Sequence, residues 1–128
     1  MRVSSRELAL LCIVGAQSAC DLWSSGCTTE LRPMIIATVT DSRTGEALVG
    51  GVTLVAYSSA GRDSTTYEGT PAGVTTVTLY PRILGAGAYS VEIRHPGYLP
   101  FRQTDVLVRL DRCGKTIAVS IGASLTPL

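Results

Sequence analysis

The chain has 128 residues, 45% of them apolar and 16% charged, and a formal net charge of +1. One domain is the default at that length, and the apolar content supports a folded core rather than disorder. Near-neutrality gives no electrostatic case for nucleic acid or for acidic substrates, and the Thr, Ser, Val and Gly that dominate after residue 30 favour strands and turns over helices.

Residues 1–19 read as a signal peptide. A short start carries Arg2 and Arg6, the apolar run Leu8–Ala16 follows, and small residues close the segment before Cys20. The run is too short to cross a bilayer, which takes roughly 20 residues. Ser18-Ala19-Cys20 resembles the end of a bacterial lipobox, which makes Cys20 the lipidated residue; Gln17 stands where that motif carries an aliphatic side chain. Ordinary cleavage after Ala16 or Ala19 stays open and would leave a secreted protein. Export removes Cys12 and leaves Cys20, Cys27 and Cys113, an odd number in a disulfide-permissive compartment. A lipid on Cys20 leaves Cys27 and Cys113 as one pair flanking the domain; the rival pairing joins Cys20 to Cys27. With one histidine and no close cysteine pair, a zinc site is not expected.

Residues 20–32 read as a tether, with Trp23 placed either to meet a membrane surface or to cap the domain that follows at 33–128. Met34–Thr40 is the first strand, and Asp41-Ser42-Arg43-Thr44-Gly45 a turn in which Asp41 accepts from amides ahead and Gly45 takes the left-handed residue. Val52–Tyr57 is the second strand. The third, Arg62–Tyr67, is polar and predicts a sheet edge. Val74–Tyr80 is the fourth. The fifth follows Gly87, with Tyr89, Val91 and Ile93 alternating with Ser90, Glu92 and Arg94, a period of two. His95-Pro96-Gly97 turns the chain there. Phe101–Leu110 is the sixth strand and Thr116–Leu125 the seventh. Seven short strands with Gly and Pro punctuation predict an all-β sandwich.

Three motifs carry a family resemblance. Ala37–Leu48 resembles the V-x-D-x-x-T-G-x-P-L opening of carboxypeptidase regulatory-like domains, Gly87-Ala88-Tyr89-Ser90-Val91 their G-x-Y-x-V strand, and Pro96-Gly97-Tyr98 their P-G-Y turn. The resemblance spans about residues 33 to 126. It implies a seven-stranded transthyretin-like (prealbumin-like, Ig-like) sandwich, and a family used as accessory modules rather than for one chemistry.

Neither catalytic nor metal-binding residues stand out, and no cofactor is expected. His95 reads as a surface imidazole at a strand end, so that its loss should matter little, whereas Tyr89 reads as core. The carboxylates Glu30, Asp41, Glu46, Asp63, Glu68, Glu92, Asp105 and Asp111 are scattered singly. Among the aromatics, Tyr67 on the polar edge is the best candidate for a sugar-stacking ring. The expectation is a non-catalytic envelope module, anchored to the membrane through lipid on Cys20, with a binding or structural role. A carbohydrate- or peptide-binding accessory domain is the alternative, and a carboxylate-dependent hydrolase the remaining one.

Overall fold

The computed structural model describes residues 27–128, so the signal peptide, Cys20 and Trp23 lie outside the described residues. The chain divides into two compact units, 1–30 and 31–128, and every strand belongs to the second. The strands are β1 (Ile35–Asp41), β2 (Thr53–Ser58), β3 (Gly61–Thr66), β4 (Val77–Leu79), β5 (Gly87–Arg94), β6 (Phe101–Leu110), β7 (Thr116–Ile117) and β8 (Val119–Leu125). Among the described residues there is no helix.

Two sheets form a β-sandwich: a three-stranded one in the order β4-β1-β8, and a five-stranded one in the order β3-β2-β5-β6-β7. The core follows the period-two pattern. Ile35, Ala37 and Val39 of β1, with Ile121, Ala123 and Leu125 of β8 beside them in the same sheet, join Leu54 and Ala56 of β2, Tyr89, Val91 and Ile93 of β5, and Val106 and Val108 of β6 in one apolar cluster. All are at most 5% exposed. The first and last strands lie side by side and parallel, from Ile35 opposite Val119 to Asp41 opposite Leu125.

The structure corrects the strand count from seven to eight. The predicted last strand divides at Ala118. Thr116 and Ile117 finish the five-stranded sheet opposite Leu110 and Arg109, while Val119 onward joins β1 in the other sheet. In the sequence the apolar residues Ile117, Val119 and Ile121 alternate straight through the division, which is why it reads as one strand, but burial changes phase there: Thr116 is buried and Ile117 is 51% exposed. The fourth strand is shorter than its apolar pattern, because β1 offers it partners only at Ile35, Ile36 and Ala37. β6 contains a bulge that its sequence does not announce. Tyr89 pairs with Val106 but Val91 with Gln103, so β6 carries one residue more than β5 there, and Asp105 sits at φ 56°.

The polar third strand is an edge, as predicted. Its Asp63 pairs with buried Ala56 and points inward, a charge that discourages another chain from pairing at that edge.

Candidate functional site

The outer face of the five-stranded sheet holds a groove of about 380 Å³, lined by Thr53, Val55, Tyr57, Arg62, Glu92 and Arg94. Strand register builds it. Tyr57 lies opposite Arg62 on β3 and Ser90 on β5; Val55 lies opposite Ser64 and Glu92; Thr53 lies opposite Thr66 and Arg94. Glu92 in turn faces Arg102 on β6. On β2 and β5 these positions alternate with core residues, so the face that closes the sandwich inside sets this row of side chains outside. A second recess, about 580 Å³, shares Thr53 and Arg94 with the first and runs along Tyr67 and the His95–Tyr98 turn.

Glu92 is the electrostatic centre of the groove. Its side chain is only 8% exposed, beneath Arg94 and Arg102 at 61% and 65%. Arg94 Nε donates to Glu92 Oε1, and Arg102 Nε lies 3.6 Å from Oε2. The hydrogen bond from Arg94 holds the Glu92 carboxyl below its ordinary range. Burial opposes this, and the charges of Arg94 and Arg102 reinforce it. The same contact pushes the Arg94 guanidinium up. Glu92 therefore stays ionised and orients the Arg94 guanidinium, with Arg102 as a longer ion pair on its other oxygen. Arg62, across β2, makes no ion pair among the described residues.

The strand ends are fastened by carboxylates. Asp41 accepts from the amides of Arg43 (2.7 Å) and Thr44 (3.1 Å) through Oδ1, as the turn motif predicts, and Gly45 takes a φ of 71°. Its Oδ2 accepts from the Tyr98 hydroxyl at 2.6 Å. Two of the motifs that carry the family resemblance therefore meet in space, 57 residues apart. The bond from Tyr98, with the two amides, lowers the Asp41 pKa and raises that of Tyr98. Asp63 accepts from the amides of Arg82 (3.1 Å), Ile83 (3.2 Å) and Leu84 (3.0 Å). Asp111 accepts from Cys113 and Lys115 and pairs with Arg32 at 3.0 Å. Cys27 and Cys113 form the predicted disulfide.

Two sequence readings change. His95 is no idle surface imidazole. Its Nε2 lies 2.9 Å from the Gly50 carbonyl oxygen and its Nδ1 2.7 Å from that of Pro96, and its ring meets Tyr98 edge-on at 5.0 Å. Tyr67 is half-buried against the core, and its hydroxyl accepts from the Thr78 amide at 3.1 Å. The ring exposed on the groove is instead Tyr57, 38% accessible. The sequence does carry a signal for the groove, since Tyr57, Arg62, Glu92, Arg94 and Arg102 all occupy outward positions. Only the register reveals that they are neighbours.

Among the described residues no three His, Cys, Asp or Glu side chains converge as a metal site would require. No protein-family model matches the chain, and no curated protein matches it.

Proposed function

We propose that this chain is an exported, non-catalytic β-sandwich module that binds a partner at the cell envelope through the groove on its five-stranded sheet. Residues 1–19 direct export and a lipid on Cys20 holds the module to the membrane, so that 33–128 acts as a carboxypeptidase regulatory-like, transthyretin-like domain. The observation that carries the reading is the groove itself, where Tyr57, Arg62 and Arg94 stand exposed on the outer sheet face, with Glu92 hydrogen-bonded to Arg94 and Arg102 beside it. The disulfide supports an oxidising compartment. The carboxylates Asp41, Asp63 and Asp111 fasten loops and Glu92 holds arginines, roles that suit a scaffold.

Labelled palmitate tests the anchor. Label is expected in the wild-type chain and not in Cys20→Ala, which should move to the soluble fraction; an unlabelled wild-type chain refutes lipidation. The groove is tested by retention of the protein on washed cell-envelope material. The double variant Tyr57→Ala/Arg62→Gln should be lost from it, and retention equal to wild type rejects the groove as the binding face.

A further inference from the structure

We propose that the groove takes an acidic saccharide, a uronic acid unit of a glycan, with its carboxylate held by Arg62 and Arg94 and its ring laid on Tyr57. This rests on the reading of the outer sheet face as the binding face, and it names the ligand chemistry.

Charge selects an anion. The groove lining carries two guanidinium groups, Arg62 and Arg94, against one carboxylate, Glu92, and Glu92 is further neutralised by Arg102 of β6 beside the groove. The neighbouring acids lie outside the groove lining, Asp105 in the recess that shares Tyr57 and Glu68 in the recess that shares Thr53 and Arg94. Arg94 is already oriented by its bond from Nε to Glu92, and Arg62 brings a guanidinium with no ion-pair partner among the described residues. A guanidinium matches a carboxylate with two parallel N–H···O bonds, which a point-charge ammonium does not.

The surroundings select a sugar over a peptide. β2 is flanked on both sides, by β3 from Thr53 to Ser58 and by β5 from Thr53 to Tyr57. Its amides and carbonyls are committed to those ladders, so the groove floor offers no main-chain partners of the kind that recognise an extended peptide by strand addition. What it offers is side chains. The Thr53 and Thr66 hydroxyls lie 3.1 Å apart at one end, the exposed Tyr57 ring at the other, and the guanidinium groups between and beside them. Hydroxyls suit the hydroxyls of a sugar, and an aromatic ring suits its C–H face.

The test titrates the full chain, solubilised in neutral detergent, with trigalacturonate and follows amide shifts. Neutral cellotriose, triglutamate and phosphatidylglycerol vesicles are titrated in parallel. Trigalacturonate should shift Thr53, Tyr57, Arg62, Glu92 and Arg94, and cellotriose should bind at least about tenfold more weakly. Arg62→Gln should lose about tenfold and Tyr57→Ala a similar factor, while Tyr57→Phe keeps the affinity. Raising the salt to about 1 M should weaken wild-type binding, and Arg62→Gln, which keeps Arg94, by a smaller factor. Equal affinity for cellotriose at the same residues overturns the acidic assignment and leaves the groove as binding face. Triglutamate or vesicles shifting these residues in place of trigalacturonate overturns the saccharide assignment. No shift with any saccharide overturns it too, and the envelope-retention assay then decides separately whether the groove binds at all.

Discussion

Replacing Asp63 with alanine strikes the fold at a point where one side chain serves three backbone donors. The carboxylate is 4% exposed and sits on the edge strand β3, facing inward opposite Ala56. It accepts from the amides of Arg82, Ile83 and Leu84. The Arg82 and Ile83 amides lie in exposed stretches where water can replace the carboxylate, but the bond to Leu84 is buried, and Leu84 itself closes the core at 5% exposure. One fully buried charged hydrogen bond, with smaller contributions from the other two, amounts to about 2–3 kcal/mol. For a domain of this size that is a fall in Tm of about 10–20 °C. Asp63→Asn keeps one acceptor and should lose about half as much. The sign of the pH dependence follows from the direction of the shift. Burial pushes the Asp63 carboxyl up, and the Leu84, Arg82 and Ile83 amides with the Arg82 charge more than reverse it, so the folded pKa lies below 3.8. A depressed folded pKa gives stability that is complete above the unfolded value and lost as pH falls through the folded one. Chemical denaturation should therefore show a constant gap between wild type and Asp63→Asn at neutral pH, closing below 3.8. Hydrogen exchange should report faster opening at Leu84 in Asp63→Ala. A loss below about 0.5 kcal/mol, the level of an ordinary surface substitution, or unchanged protection at Leu84 would refute the clasp.

His95→Ala should cost about 1 kcal/mol by removing the tie to the Gly50 carbonyl, more than a surface site but less than Tyr89→Ala at about 3 kcal/mol or above. The reverse order in urea denaturation would contradict the packing. Asp105 occupies left-handed backbone at φ 56°. Asp105→Gly is expected to leave stability within about 0.5 kcal/mol and Asp105→Val to lose about 1–2 kcal/mol, and equal effects in thermal melts would remove the bulge from the account. Reducing the Cys27–Cys113 disulfide, which closes a loop of about 86 residues, should lower stability by up to about 4 kcal/mol in the chain-entropy picture, read as the difference between denaturation curves with and without reductant.

Strand positions were legible because one face of each strand is apolar. Tyr89, Val91 and Ile93 alternate with polar residues and are buried, and the polar β3 is an edge. The turn at Asp41 was legible because its hydrogen bonds are local, to residues two and three positions on. What depends on register was not. The clasp from Asp63 reaches 21 residues along the chain to Leu84, and Tyr98 reaches 57 back to Asp41. Glu92 reads as an ordinary outward residue of β5. Its burial comes from Arg94 two residues on and from Arg102, which the β5–β6 pairing brings opposite. The division of the last strand at Ala118 leaves the apolar spacing of the sequence intact while it turns Ile117 outward and Thr116 inward, because the two pieces join different sheets.

The carboxylates also bear on the choice between binding and hydrolysis. A general acid needs a proton at working pH, which takes a pKa pushed up by burial or a like charge, and a base or nucleophile needs an oxygen free to face substrate. Asp41, Asp63, Glu92 and Asp111 are all shifted the other way, each by donors already bonded to its oxygens. Asp41 and Asp63 fasten the loops at Arg43–Thr44 and at Arg82–Leu84, and Asp111 the turn that carries Cys113. Glu92 alone lies on an open sheet face, and it is covered by the arginines it orients. These four carboxylates are engaged within the scaffold, Glu30, Glu46, Glu68 and Asp105 stand exposed, and on the groove Arg62 and Arg94 face solvent. On the groove the exposed guanidinium groups are the charge complement of the proposed anionic ligand.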